Sequence, residues 1–269
     1  MRVIRGKKAL VTGAASGIGR AIALDLAREG ADLFLVDIER EGLETVAAEA
    51  RSRGIVALTS VRDLSQPAEV SATVQDVLAA WGGLNILINN AGVAYYGKTH
   101  EMTDAQWNRV IAVNLLAPIQ LTRELFPALL AADEAHILNM CSMFGVTPWR
   151  KTAAYQTSKY GLVGFSQALH AEYHREHFGV TALCPGFVHT PLLERATPEG
   201  EERKRASPPF ISTSPEKVSA KAIDAIRRNR GLVVVTPHAQ FYWRLTRLAP
   251  GLVGWMLRHG WRKRRRIEA

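Results

Sequence analysis

Three observations predict an α/β fold built as one large domain. Short apolar runs alternate with segments of helical periodicity along most of the chain. A glycine-rich turn, Gly13-Ala-Ala-Ser-Gly17-Ile-Gly19, joins the first apolar run to the first helical segment. The chain has 269 residues, 47% of them hydrophobic, which suits one domain with a sizeable core.

Lys8 to Thr12 reads as a short buried strand and Arg20 to Glu29 as the helix after the turn. Glycines there let the backbone approach a pyrophosphate, and the helix N-terminus favours its negative charge. Gly13, Ser16, Gly17, Ile18 and Gly19 are therefore candidate dinucleotide contacts. Asp32 to Val36 is the second strand, and Asp37 follows it. A carboxylate at that place can bond both hydroxyls of an adenosine ribose and would repel a 2′-phosphate. Ser16 and Ile38 occupy places where a basic residue would favour a phosphate, so NAD is preferred. Arg40 and Arg62 keep NADP open.

A helix is predicted over 39–53, a strand over 55–60 and a helix over 67–81. Asp63, after the third strand, is a further candidate cofactor contact. Leu84 to Ile88 is the fourth strand, and Asn89-Asn90-Ala91-Gly92 follows, with side chains suited to a turn passing close to a cofactor. Taken alone, that turn could equally be a strand ending. Asn114, between Val113 and Leu115, is a polar amide in an apolar run and needs a buried partner.

The chemistry centres on the stretch from Ser142 to Lys159. Residues 153–177 read as one helix without internal proline, so Tyr155 and Lys159, four apart, share a face. An ammonium beside a phenol favours the phenolate and is expected to lower the tyrosine's pKa towards a usable range. Ser142 follows the apolar run ending at Cys141, at the C-terminal end of a predicted strand, where open α/β sheets bind ligands. Its hydroxyl could bond the same substrate oxygen as Tyr155.

These motifs in this order resemble the short-chain dehydrogenase/reductase family over roughly residues 7–236. The cofactor loop is matched by 12–19, the second motif by 89–92, and the tetrad by Asn114, Ser142, Tyr155 and Lys159. The turn beside the nicotinamide is matched by Pro185, Gly186, Val188 and Thr190. The resemblance implies a single Rossmann-like, doubly wound domain with a seven-stranded parallel sheet. It also implies hydride transfer between a nicotinamide and a carbinol carbon, with tyrosine as acid/base. The lysine would lower its pKa and hold the ribose, the serine orient the substrate oxygen, and the asparagine hold a water. A homodimer or homotetramer is the implied assembly. Ala94, Tyr95, Met143, Phe144, Trp149 and Phe187 are candidate substrate contacts; being mostly apolar, they point to a lipophilic alcohol or ketone.

Composition narrows the alternatives. No signal-peptide core or membrane-spanning run is visible, and Cys141 and Cys184 lack Cys-x-x-Cys spacing, so a cytoplasmic setting with buried, non-redox thiols is expected. No metal is implied. The formal net charge is +9. Residues 258–269 hold six basic residues against one acid, a net +5, so the basic character belongs largely to a tail and argues weakly for nucleic acid. Residues 190–212 are polar and proline-bearing, read either as a lid over the substrate or as a solvated loop.

Residues 1–237 form the expected catalytic domain, with a helix over 215–228 capped by Ser214 and a last strand over 232–236. Residues 238–269 form an amphipathic, basic extension that mixes three tryptophans with arginines. It suits either a peripheral contact at the inner face of a membrane or a helix packed on the domain or a neighbouring subunit. The competing class for the whole protein is a catalytically silent dinucleotide-binding sensor or scaffold, against which the intact tetrad argues.

Overall fold

A computed structural model describes residues 1–173, 177–194 and 212–259. Its seven strands are β1 (Lys8–Thr12), β2 (Asp32–Asp37), β3 (Ala57–Val61), β4 (Ile86–Asn89), β5 (Ala135–Met140), β6 (Phe178–Cys184) and β7 (Leu232–Val234). All neighbouring pairs are parallel, in the order β3-β2-β1-β4-β5-β6-β7. The expected Rossmann-like sheet is thus present. Parallel strands covered on both faces read as continuous apolar runs, as Leu33-Phe34-Leu35-Val36 of β2 does, buried at all four positions.

Helices α1 (Gly17–Arg28), α2 (Arg40–Arg51) and α3 (Pro67–Trp81) connect the first four strands. Beyond β4, α4 (Asp104–Ile111) starts in a capping box, Thr103 accepting from Gln106 N and Gln106 returning the bond. It passes through a π-helical turn (Ala112–Leu116) into α5 (Ala117–Ala131). Next come α6 (Ala153–Tyr173), the short α7 (Pro191–Glu194) and α8 (Pro215–Arg227), the last capped by Ser214 as expected. After β7 come α9 (Pro237–Leu248) and α10 (Pro250–His259), separated at Ala249 ahead of Pro250.

Two apolar layers sandwich the sheet. Ile22, Leu26, Leu43 and Ile226 pack on one face with Leu33 and Leu35; Leu121, Leu125 and Val74 pack on the other with Leu10 and Leu87. One expectation needs correction. The helix bearing Tyr155 does not continue to His177, which lies in a turn whose carbonyl accepts from Ala135 N at the entry to β5. The lid region lies largely outside the described residues, as does the basic run 262–266.

A buried polar line crosses the second face of the sheet. Asn89 Nδ2 donates to Asn139 Oδ1 (2.8 Å) and to Thr122 Oγ1 (3.3 Å), and Asn139 Nδ2 donates to Ser166 Oγ (2.8 Å). It ties β4 and β5 to α5 and α6, which place the site residues. Asn139→Ala removes the shorter of the two acceptors of the buried Asn89 amide and the donor to Ser166, so a loss of about 1–3 kcal/mol is expected in denaturant unfolding; an unchanged midpoint would refute a stabilising role for this line.

Candidate active site

Strand order reverses between β1 and β4, and ligands of open parallel sheets bind outside the C-terminal strand ends at such a point. The glycine turn lies there. Gly13 and Gly17 have φ of 66° and 56°, the left-handed region that favours glycine. A Cβ on Gly19 would stand 1.9 Å from Gly13 O, so only glycine lets the helix start so close to the turn. Ser16, the N-cap, makes no side-chain cap bond, which leaves the N–H groups of Gly17, Ile18 and Gly19 at the helix end for an anion.

The turn is fastened from three sides. Thr12 Oγ1 accepts from Asn90 N and Ala91 N, each at 3.0 Å, while Asn90 Nδ2 donates to Thr12 O and Gly13 O, each at 3.0 Å. Asp37 Oδ2 accepts from Ala15 N (3.0 Å), placing its carboxylate against the loop at the end of β2. Thr190 packs against Gly17 from the segment after β6. Asp63 sits in the turn after β3 and accepts from Ser65 N (3.0 Å). Burial pushes its carboxyl up, but bonds from Ser65 and the charge of Arg109 outweigh that and hold it below the usual range.

Beside this cradle lie the other predicted residues. Ser142 Oγ accepts from Phe144 N (3.1 Å), and its hydroxyl lies near enough to Tyr155 to favour the phenolate. Lys159 is 4% exposed, its Nζ 5.7 Å from the Tyr155 ring centre and donating to Met140 O (2.8 Å). Asn114, fully buried, accepts from Val93 N and donates to Val93 O (both 2.8 Å) and to Ser158 Oγ (3.2 Å). Its side chain thus fastens the segment after β4 to α6. A Cβ on Gly92 would meet Asn114 Oδ1 at 3.3 Å and Lys159 Nζ at 3.7 Å, so the second glycine motif adjoins the tetrad. Pro185 O accepts from Met143 N (2.7 Å), Gly186 lies against Thr236 and His238, and Val188 pairs with Thr213.

The expected depression of the tyrosine is corrected. Burial dominates and pushes the Tyr155 phenol up to about 12, with the Ser142 hydroxyl pulling the other way. Burial likewise pushes the Lys159 ammonium down to about 8, against the pull of Cys141 and Cys184. The lysine meets a backbone carbonyl and stands off the phenol, so desolvation wins for both groups. Cys141 and Cys184 are buried thiols, and Cys184 is pushed well up, chiefly by its hydrogen bond with Cys141 and by burial, as a non-redox reading expects.

Of the predicted substrate contacts, Phe144, Trp149 and Phe187 come together. Phe144 stacks on Trp149 with centroids 5.5 Å apart, meets Phe187 edge-on at 6.0 Å and reaches Tyr155 at 6.4 Å. Met143 does not join them as open wall. It is 2% exposed, packed with Cys141, Leu162 and Val163 from the first position of the 3-10 turn Met143–Gly145 that follows β5. Tyr95 turns its ring onto Gly97.

Three residues outside the predicted set belong to this wall. Tyr242 of α9 meets Trp149 edge-on at 6.4 Å, and His238 stacks on Phe187 at 6.0 Å. Gln156 Oε1 accepts from Trp149 N (2.9 Å) and its Nε2 donates to Trp149 O (2.5 Å), which pins the tryptophan to the helix carrying Tyr155. The aromatic density of the tail signalled the first two. Nothing local to Gln156 marks its fold-dependent partner.

A glycine cradle at a sheet switch point, with tyrosine, serine and a buried lysine beside it, defines a nicotinamide-dinucleotide oxidoreductase. Similarity agrees. The short chain dehydrogenase family matches residues 7–201. Nodulation protein G of Rhizobium sp. (strain N33) is 38% identical over 221 residues, 81% of this chain and 89% of that protein. A short-chain dehydrogenase/reductase from Burkholderia phymatum, solved in complex with NAD, superposes with a TM-score of 0.83 at 27% identity, covering 94% of this chain and 96% of that one. A variant of actinorhodin polyketide ketoreductase, solved with NADPH, gives 0.78 at 29% identity, covering 90% and 100%. The chain belongs to the short-chain dehydrogenase/reductase family and is an NAD(P)-dependent oxidoreductase acting on CH–OH groups.

Because the folded pKa of Lys159 lies below its ordinary 10.5, protonating it costs the fold. Its contribution to stability is most favourable above 10.5 and declines as pH falls towards about 8. Isotope-labelled lysine resonances of the cofactor-free protein should show one group titrating near 8, absent in Lys159→Met; uniform titration near the ordinary value would refute the burial argument.

Proposed function

We propose that the chain interconverts a lipophilic secondary alcohol and its ketone, with NAD as the preferred cofactor and Tyr155 as acid/base. The observation that carries this reading is Tyr155 set beside Ser142, with the buried Lys159 Nζ 5.7 Å from the phenol ring centre. Both hydroxyls can reach one substrate oxygen. When bound, the nicotinamide supplies or receives the hydride. Tyr155 Oη gives its proton to the ketone oxygen in reduction and takes it back in oxidation. Ser142 Oγ orients that oxygen. A phenol that stays protonated in the free chain is well suited to the reductive direction.

Lys159 uses one of its three donors on Met140 O, which leaves donors for a ribose hydroxyl. The Asn114 amide is engaged with Val93 and Ser158, so a relay water would be held by a group other than this side chain. The loop 13–19 would hold the pyrophosphate and Asp37 the adenosine ribose. Arg62 is engaged by Glu69 (3.0 Å) and Asp76 (2.9 Å), which lessens its claim on a 2′-phosphate and supports NAD. Asp63, Asn90, Ala91, Gly92, Pro185, Gly186, Val188 and Thr190 complete the cofactor surface.

Phe144, Trp149 and Phe187 make an apolar wall next to Tyr155, which supports a steroid, retinoid or fatty-acyl alcohol as the substrate class. Residues 1–237 are read as the catalytic domain and 238–269 as an extension with a membrane contact. No helix among the described residues is long and apolar enough to cross a membrane. A cytoplasmic location, peripheral at the membrane's inner face, fits this reading. A homodimer or homotetramer is supported by the exposed Leu116, Leu130 and Tyr160.

Tyr155→Phe should lower turnover by about a hundredfold or more while leaving cofactor affinity nearly intact, because general acid/base transfer contributes roughly 10²–10⁴-fold. Lys159→Ala should damage both turnover and binding. NADH-linked turnover on hydrophobic alcohols and ketones, with cofactor titration by fluorescence, separates the two; comparable turnover in Tyr155→Phe rejects the assignment.

Asp37→Ala should narrow or reverse an NAD preference, since it removes the carboxylate that faces the 2′ position. Paired kcat/KM values for NAD and NADP provide the check, and a wild type that prefers NADP refutes this reading of Asp37.

A further inference from the structure

The C-terminal helices have a polarity that the catalytic site does not explain. Their inward faces are ordinary: Ala239 and Val253 are buried, Tyr242 touches Trp149, and Arg150 Nη1 donates to Leu257 O (3.3 Å). Their outward faces are apolar. On α9, Phe241 (62% exposed) and Leu248 (85%) are seven apart; on α10, Leu252, Trp255 and Met256 recur at three- and four-residue spacing. Among them stand the exposed cations Arg244, Arg247 and Arg258, with Arg150 and Lys151 on the adjoining loop. Residues 231–267 contain eight Lys or Arg and no acid.

We propose that the outward face of α9 and α10 is a docking surface for an anionic lipid bilayer, with Trp255, Leu252 and Phe241 seated at the interface and the cations against lipid phosphates. Two copies of the chain suit this face poorly. A two-fold contact would set this acid-free, cationic strip against itself or its own surroundings. A nucleic acid would neutralise the arginines but leave the apolar stripe in water. A bilayer satisfies both, and tryptophan beside arginine is the pairing that a headgroup boundary selects. Helix α9 touches the bilayer with one face and the Trp149 wall of the cleft with the other. A substrate dissolved in the bilayer would therefore meet the cleft where the protein meets the membrane. This last point rests on the proposed turnover of a lipophilic alcohol or ketone; the docking itself does not.

The test uses the full chain and sedimentation with vesicles of phosphatidylcholine, with and without phosphatidylglycerol. Binding should be at least about tenfold tighter to the anionic vesicles and should weaken as salt rises, since each cation near an anionic surface is worth roughly fivefold. A Phe241→Ser, Leu248→Ser, Trp255→Ser variant alters only exposed positions. It should lose about tenfold or more in vesicle affinity while retaining turnover of a water-soluble ketone. Equal recovery on neutral and anionic vesicles, or unchanged binding by the variant, overturns the proposal. So does a smaller oligomer on substitution, measured by light scattering, because a second copy would then cover the face. Vesicle binding without turnover on any alcohol or ketone would sink the oxidoreductase reading and leave the docking surface standing.

Discussion

The hydrogen bonds between Thr12 and the Asn90-Ala91 segment join the halves of the sheet where strand order reverses. Two parallel strands end side by side there, and their connections leave in opposite directions. The gap so created is where a dinucleotide fits, and it is also where nothing in the regular ladder holds the chain. One threonine hydroxyl accepts two backbone N–H groups, and one asparagine amide binds two carbonyls of the opposing turn. Glycine adopts the left-handed backbone of this turn without strain, and these bonds fix the turn in place. Asn90, read from sequence as a cofactor contact, does much of its work as this brace.

Desolvation governs the chemistry beside that brace. Lys159 is buried with one carbonyl partner, and Tyr155 lies against an aromatic wall, so both groups are driven towards their neutral forms. A neutral phenol is the form that donates a proton. The phenol therefore stays neutral at pH 7, while Lys159, pushed down only to about 8, still carries its charge there. The aromatic wall against the phenol is Phe144, held in turn by its stacking on Trp149.

Rigidity reaches this wall from an unexpected distance. Gln156, next to the tyrosine, grips both backbone polar groups of Trp149, and the tryptophan in turn touches Tyr242 of α9. Helix α9 is thus linked to the helix carrying Tyr155 through two residues, Trp149 and Gln156. Whatever occupies the outer face of α9 acts next to the mouth of the cleft.

The sequence by itself determined the alternation of strands and helices, the glycine turn, the position of Asp37 and the tetrad, because each is local. Apolar runs, positive-φ glycines and an i, i+4 pair are all written in neighbouring residues. It also carried the buried character of the cysteines. Tertiary structure decided what depends on contacts between distant segments. It put Met143 into the core, turned Tyr95 onto Gly97, and engaged the Asn114 side chain with Val93 and Ser158. It also reversed the expected shift of Tyr155: spacing reports that lysine and phenol share a face, but only burial and the Met140 carbonyl decide where the ammonium points and how much water the phenol loses.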